Sequence, residues 1–113
     1  MTSELMQYES GDLYEVPISL TTQLAVADSF LLEDGRVRNL DMHLERFSRW
    51  VRQISPDNES GLEDFFYMVV QALPLEGRWF PRLELHTDQP EARRLHLRIR
   101  EAPEALGNAI LWT

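Results

Sequence analysis

The 113-residue chain contains no cysteine and no lysine; all eleven basic residues are arginines. Without cysteine there is no thiol nucleophile and no disulfide, a composition that fits a reducing compartment. Without lysine, no side-chain amine can condense with a carbonyl. Long apolar runs are missing too: nothing approaches the ~20 residues a helix needs to span a bilayer. The opening stretch, MTSELMQYESGDLYE, is acidic and polar, unlike a signal or transit peptide. A cytoplasmic location is the expectation. The net charge of −8 argues against nucleic acid or an anionic membrane as the main partner, because both need a basic footprint.

What remains is one domain by length, with enough apolar residues for a single core. The segment 23–32, QLAVADSFLL, reads as a strand, followed by the hairpin signal Asp34-Gly35 and a short return strand at 36–38. Asn39 is placed as the N-cap of a helix, its side chain accepting from the first free N–H groups. Leu40, Leu44, Phe47, Val51 and Ile54 then form an apolar stripe at helical spacing. Residues 55–60 read as a loop. Ser60 and Glu63 have capping-box spacing before a second helix, whose stripe is Leu62, Phe65, Phe66, Val69 and Leu73 and which Pro74 stops.

The period then changes. Segments 79–87 and 94–102 alternate, with Leu83 and Leu85 facing Leu95, Leu97 and Ile99, which predicts an antiparallel hairpin with one buried face. Residues 108–113, NAILWT, read as the start of another strand, so the polypeptide is expected to continue beyond it. The fold class expected is α+β: an antiparallel β-sheet with two α-helices packed on one face.

One helix flank stands out. At ~100° per residue, His43, Arg46 and Trp50 share a stripe beside the apolar seam, while Glu45 and Arg49 point elsewhere. An arginine at such an edge can present its planar fork to a carboxylate or phosphate. The reading that pattern alone favours is blander: it lies over its neighbours or pairs with Glu45 or Asp41. On the hairpin, Arg82, Glu84 and His86 share a face with His96, Arg98 and Arg100. Two histidines and a glutamate are metal ligands by type, but interleaved arginines repel a cation, so no metal is expected and the face reads as solvated. The paired acids Glu33-Asp34 and Glu63-Asp64 sit in a turn and a helix's first turn, and the serines lack a glycine elbow.

The stretch SFLLEDGRVRNLDMHLERF resembles the N-terminal small domain of fold-type IV pyridoxal-phosphate enzymes. That family includes branched-chain and D-amino-acid aminotransferases and aminodeoxychorismate lyase. Its members share a strand, a tight turn, a short strand and a helix opening with a His-x-x-Arg-Leu-like motif. The resemblance implies that Arg46 contacts the cofactor phosphate and that the matching His43 is structural. It also implies pyridoxal 5'-phosphate as cofactor, a small amino-acid or keto-acid substrate and a homodimer. A larger lysine-bearing C-terminal domain would be absent from residues 1–113, leaving this chain inert alone. Two departures are visible. Ala27 stands where the family carries a pocket-lining aromatic, with Asp28 near its acidic or hydroxyl position, and HTDQPEARR does not match the loop that binds substrate carboxylate in some members. In the resembling enzymes the hairpin sheet lies near the subunit contact or cofactor cleft, which implies that its polar face is covered by another domain or chain. The alternative is a non-catalytic interaction module that pairs with itself or with a separate subunit.

Overall fold

A computed structural model describes residues 3–18 and 23–103. Eight strands and two α-helices follow in the order β1 (Ser3–Glu9), β2 (Asp12–Val16), β3 (Leu24–Ser29), β4 (Leu32–Glu33), β5 (Arg36–Val37), α1 (Leu40–Ile54), α2 (Leu62–Ala72), β6 (Arg78–Trp79), β7 (Arg82–His86) and β8 (Leu95–Arg100). The main sheet has the order β2-β1-β8-β7-β3, and every pairing in it is antiparallel. A small second sheet, β5-β4-β6, lies beyond the end of β3. The architecture is α+β, as expected. Among the described residues no helix is long and apolar enough to cross a membrane.

The N-terminal hairpin was not expected. Ser10 and Gly11 both take positive φ (53° and 83°), the combination that matches a two-residue turn to the twist of its strands. Alternation is hard to see here because Leu5 and Met6 are consecutive and serve opposite faces. Met6 pairs with Leu97 and packs on the core, whereas Leu5 pairs with Arg98 on the other face and is buried there.

The expected strand over 23–32 is broken in two. Phe30, buried, donates its backbone N–H to Pro81 (3.1 Å), and the chain then enters β4. The Asp34-Gly35 turn forms with positive φ at both residues, as expected. It is held against the segment before β6 by Asp34 N–H to Gly77 O and Gly77 N–H to Asp34 Oδ1, both 2.9 Å.

Helix α1 begins where the sequence placed it, but not by the expected mechanism. Asn39 is left-handed (φ 57°) and its side chain makes no capping bond; its carbonyl accepts from the N–H groups of Met42 and His43. The expected loop over 55–60 is a 3₁₀ helix, Pro56–Gly61, that runs directly into α2. Consequently Gly61, not Ser60, is the N-cap of α2, and no capping box forms. The polar segment is ordered because its side chains are used: Ser55 bonds Asn58, Asn58 Nδ2 donates to Glu91 O (2.8 Å), and Arg94 donates to Ser55 Oγ (2.9 Å). Helix α2 ends at Ala72, with Leu73 extended before Pro74.

Both helices pack on one face of the sheet. Phe47, Val51, Leu62, Phe65 and Val69 join Val26, Leu83, Leu85, Leu95, Leu97 and Ile99 in one buried cluster, with Leu44 and Phe66 at its margin. Ile54, the last residue of the α1 stripe, is 44 % exposed. The expected strand over 108–113 lies outside the described residues. Phe65→Ala is expected to cost about 3–5 kcal/mol in urea unfolding, and Ile54→Ala less than about 1 kcal/mol. Equal losses at the two positions would show that the cluster is not the core.

Candidate functional site

The flank of α1 meets β3. Asp28 pairs in register with Leu83, so its carboxylate stands on the helix-covered side of the sheet, where it is 6 % exposed. A carboxylate taken that far from water must be paired or neutralised, and α1 supplies the partners. Arg46 donates from Nε to Oδ2 (2.6 Å) and from Nη2 to Oδ1 (2.9 Å), a bidentate pair across two elements. His43, one turn earlier on the same flank, places Nδ1 2.8 Å from Asp28 Oδ1. An ionised carboxylate only accepts, so the imidazole proton sits on Nδ1. The 3.1 Å approach of Arg46 Nη2 to that nitrogen is then a proximity of two donors. Phe30 lies beside the His43 ring, 5.6 Å between centroids.

Arg46 is therefore not an unpaired guanidinium: Asp28 holds its Nε and Nη2. Nor is it paired within its helix: Glu45 takes Arg49 at 2.9 Å on the exposed side. The hydrogen bonds to Asp28 push the guanidinium pKa further up, against burial, which lowers it. The side chain is still 44 % exposed, whereas the Asp28 side chain is 4 % exposed. The pair is thus lopsided, with a buried anion and a half-exposed cation. Trp50, next along the flank, is 48 % exposed.

The opposite face of the sheet departs more from expectation. Glu84, His86 and His96 are buried, not solvated, at 0, 3 and 0 % exposure. Glu84 accepts from Arg82 Nε (2.8 Å), Arg98 Nε (2.6 Å) and His86 Nε2 (2.7 Å), so both its oxygens are used by neighbours. Arg100 donates to Phe80 O and Ser29 Oγ (3.1 Å each), with its guanidinium 5.0 Å from the centre of the Phe80 ring. The His86 and His96 rings lie 4.3 Å apart. This is a structural ionic network, and among the described residues no group of three ligand-type side chains is arranged to hold a metal.

Burial raises the Glu84 pKa, but the hydrogen bonds from His86, Arg98 and Arg82 outweigh it and hold the carboxyl at about 2. Burial, then the neighbouring His86, pushes His96 down to about 4. The signs follow by linkage. Below pH 6.5 the unfolded chain protonates His96 while the fold resists, so stability falls as pH drops from 6.5 toward 4. Glu84 contributes stability above pH 4.5 that is lost as pH falls toward 2. In urea unfolding across pH, His96→Gln is expected to flatten the decline between pH 6.5 and 4. Glu84→Gln should lower stability by about 3–5 kcal/mol at neutral pH, since Arg82 and Arg98 lose their acceptor, and flatten the limb below 4.5. A His96→Gln curve parallel to the wild-type curve over pH 6.5–4 would contradict the first assignment.

Comparison with known proteins bears on the fold. No family model and no curated protein sequence matches the chain. Solved structures do. A fold IV-transaminase from Curtobacterium pusillum aligns with 91 % of this chain and 44 % of its own, at 14 % identity and a TM-score of 0.55. A Corynebacterium glutamicum protein assigned as an aminotransferase covers 91 % of this chain and 49 % of its own, at 16 % identity and a TM-score of 0.55. A Mycobacterium tuberculosis aminotransferase described as hypothetical, in its PLP-bound form, covers 92 % and 42 %, at 15 % identity and a TM-score of 0.52. The chain spans less than half the length of each of these three. Its fold is that of one part of the fold IV transaminases.

Proposed function

We propose that residues 1–113 are the small domain of a PLP-dependent class IV aminotransferase or aminodeoxychorismate-lyase-like enzyme, in which Arg46 binds the cofactor phosphate at the wall of the cleft. The observation that carries this reading is the lopsided pair: a buried carboxylate holds one edge of the guanidinium of an arginine whose side chain is 44 % exposed. Arginine suits the task because its planar, permanently charged fork donates two parallel hydrogen bonds to an oxyanion. The comparison structures support it by fold, one of them in a PLP-bound form.

Each residue of the flank has a part that its chemistry permits. Arg46 receives the phosphate. His43 completes the shell of Asp28 through Nδ1, the structural part its motif position implied. Pyridoxal phosphate, when bound, supplies the electron sink for amino-group chemistry. This chain has no lysine, so the residue that holds the cofactor covalently comes from a larger domain or a separate subunit. Alone, the small domain binds the phosphate weakly and catalyses nothing. A homodimer acting on a small amino or keto acid completes the reading.

Binding by the phosphate makes a distinction that can be read by NMR on this chain. Pyridoxal phosphate is expected to perturb the side-chain resonances of Arg46 and His43, and pyridoxal at the same concentration to leave them in place. Arg46→Ala should remove the difference. In a protein that completes the site with a lysine-bearing domain, the same change should weaken cofactor binding by about 1.5–3 kcal/mol. Equal responses to the two ligands would remove the phosphate from the account.

A further inference from the structure

The pairing of Arg46 with Asp28 raises a question that the phosphate reading leaves open: does the carboxylate compete with an incoming anion, or prepare the arginine for it? A guanidinium carries five N–H groups. Asp28 takes the one on Nε and one of the two on Nη2. Three remain; one on Nη1 and one on Nη2 form the outer edge of the fork, and the third, on Nη1, lies beside the side chain's own Cδ. That edge keeps the geometry for two parallel bonds to an oxyanion.

Three features fix which edge is used. Asp28 stands on a strand paired with β7, and its single methylene leaves the carboxylate little reach. His43 Nδ1 donates to Oδ1, so the carboxylate is held from a second side. At 4 % exposure the Asp28 side chain would be left as a buried, under-paired charge if Arg46 swung away, an arrangement proteins avoid. An arriving anion therefore adds to the fork and does not displace Asp28.

We propose that Asp28 is the positioning residue for Arg46, holding Nε and the inner hydrogen of Nη2 so that Nη1 and the outer hydrogen of Nη2 face the rim and grip an oxyanion there. The proposal rests on the phosphate reading above and specifies how it is achieved. Because the Arg46 charge is already balanced by Asp28, the site selects by fork geometry and favours an oxyanion such as phosphate over chloride.

Arginine side-chain NMR of the 113-residue chain tests this, with inorganic phosphate as probe and chloride at matched ionic strength as control. In the unsubstituted chain the Arg46 Nε–H is expected to exchange slowly with solvent and to keep its shift through the titration, while the Arg46 Nη resonances move with phosphate and not with chloride. Asp28→Asn should expose Nε–H to exchange and reduce the initial slope of the Nη response at least threefold; Asp28→Glu, which keeps the charge, should restore part of it. Arg46→Ala separates the two claims by asking whether the His43 response to phosphate survives. If it does, the phosphate reading fails, and the positioning role with it. If Arg46→Ala abolishes the response but Asp28→Asn binds phosphate as well as or better than the unsubstituted chain, the phosphate reading stands and Asp28 is a competitor. Should the Asn variant not fold, the unsubstituted chain still decides: a phosphate-induced shift of Nε–H, or its rapid exchange before phosphate is added, overturns the proposal.

Discussion

A carboxylate buried in the interface between a sheet and a helix constrains this fold more tightly than any apolar contact. Leucines at a helix–sheet seam tolerate sliding and repacking, since dispersion has no direction. Asp28 does not, because its charge must be met by donors at fixed places. Only α1 in one rotation and one height brings Arg46 and His43, three residues apart, onto the two oxygens of that carboxylate. The requirement sets the azimuth of α1, which in turn points Phe47 and Val51 into the cluster formed with Phe65, Val69 and the leucines of β7 and β8.

The same constraint explains why one helix flank is neither core nor solvent. Arg46 must come down to the buried acid, yet its side chain stays 44 % exposed. Removing the arginine would therefore cost stability as well as any ligand contact, because Asp28 would keep only His43. The other face of the sheet solves its own problem differently: Glu84 is buried in the middle of it and is satisfied laterally, by Arg82 and Arg98 on its own and the next strand. Among the described residues each face thus has one buried acid; the arginine on Asp28 is 44 % exposed, those on Glu84 27 and 17 %.

Much of this was legible in the sequence where local spacing governs. The stripe of α1 as far as Val51, that of α2 as far as Val69, the Asp34-Gly35 turn and the apolar face of β7 and β8 appear as read, because each is decided within a few residues. Where a reading failed, the deciding contact was distant. The segment 55–60 looked like a loop, but Asn58 finds the carbonyl of Glu91 and Ser55 finds Arg94. The β1–β2 hairpin was hidden because its apolar residues divide between two buried faces, and the polar face of β7–β8 looked solvated because nothing local distinguishes exposed from buried charge. Arg46 was picked out by its flank, but its partner lies 18 residues earlier on a different element. A signal was present: Asp28 is the single charged residue in the run 24–32, which is apolar apart from it and Ser29, an acid there needs a cation, and His43 and Arg46 are the basic residues on the inward flank of the next helix.

The measurement that bears most directly on this account is a high-resolution crystal structure of the chain grown with phosphate. The account predicts a phosphate oxygen about 3 Å from Arg46 Nη1, with Nε and Nη2 still on Asp28 and His43 Nδ1 still on Oδ1. An Arg46 side chain turned away from Asp28 to grip phosphate through Nε, or phosphate bound elsewhere while the outer edge of Arg46 meets only water, would contradict it.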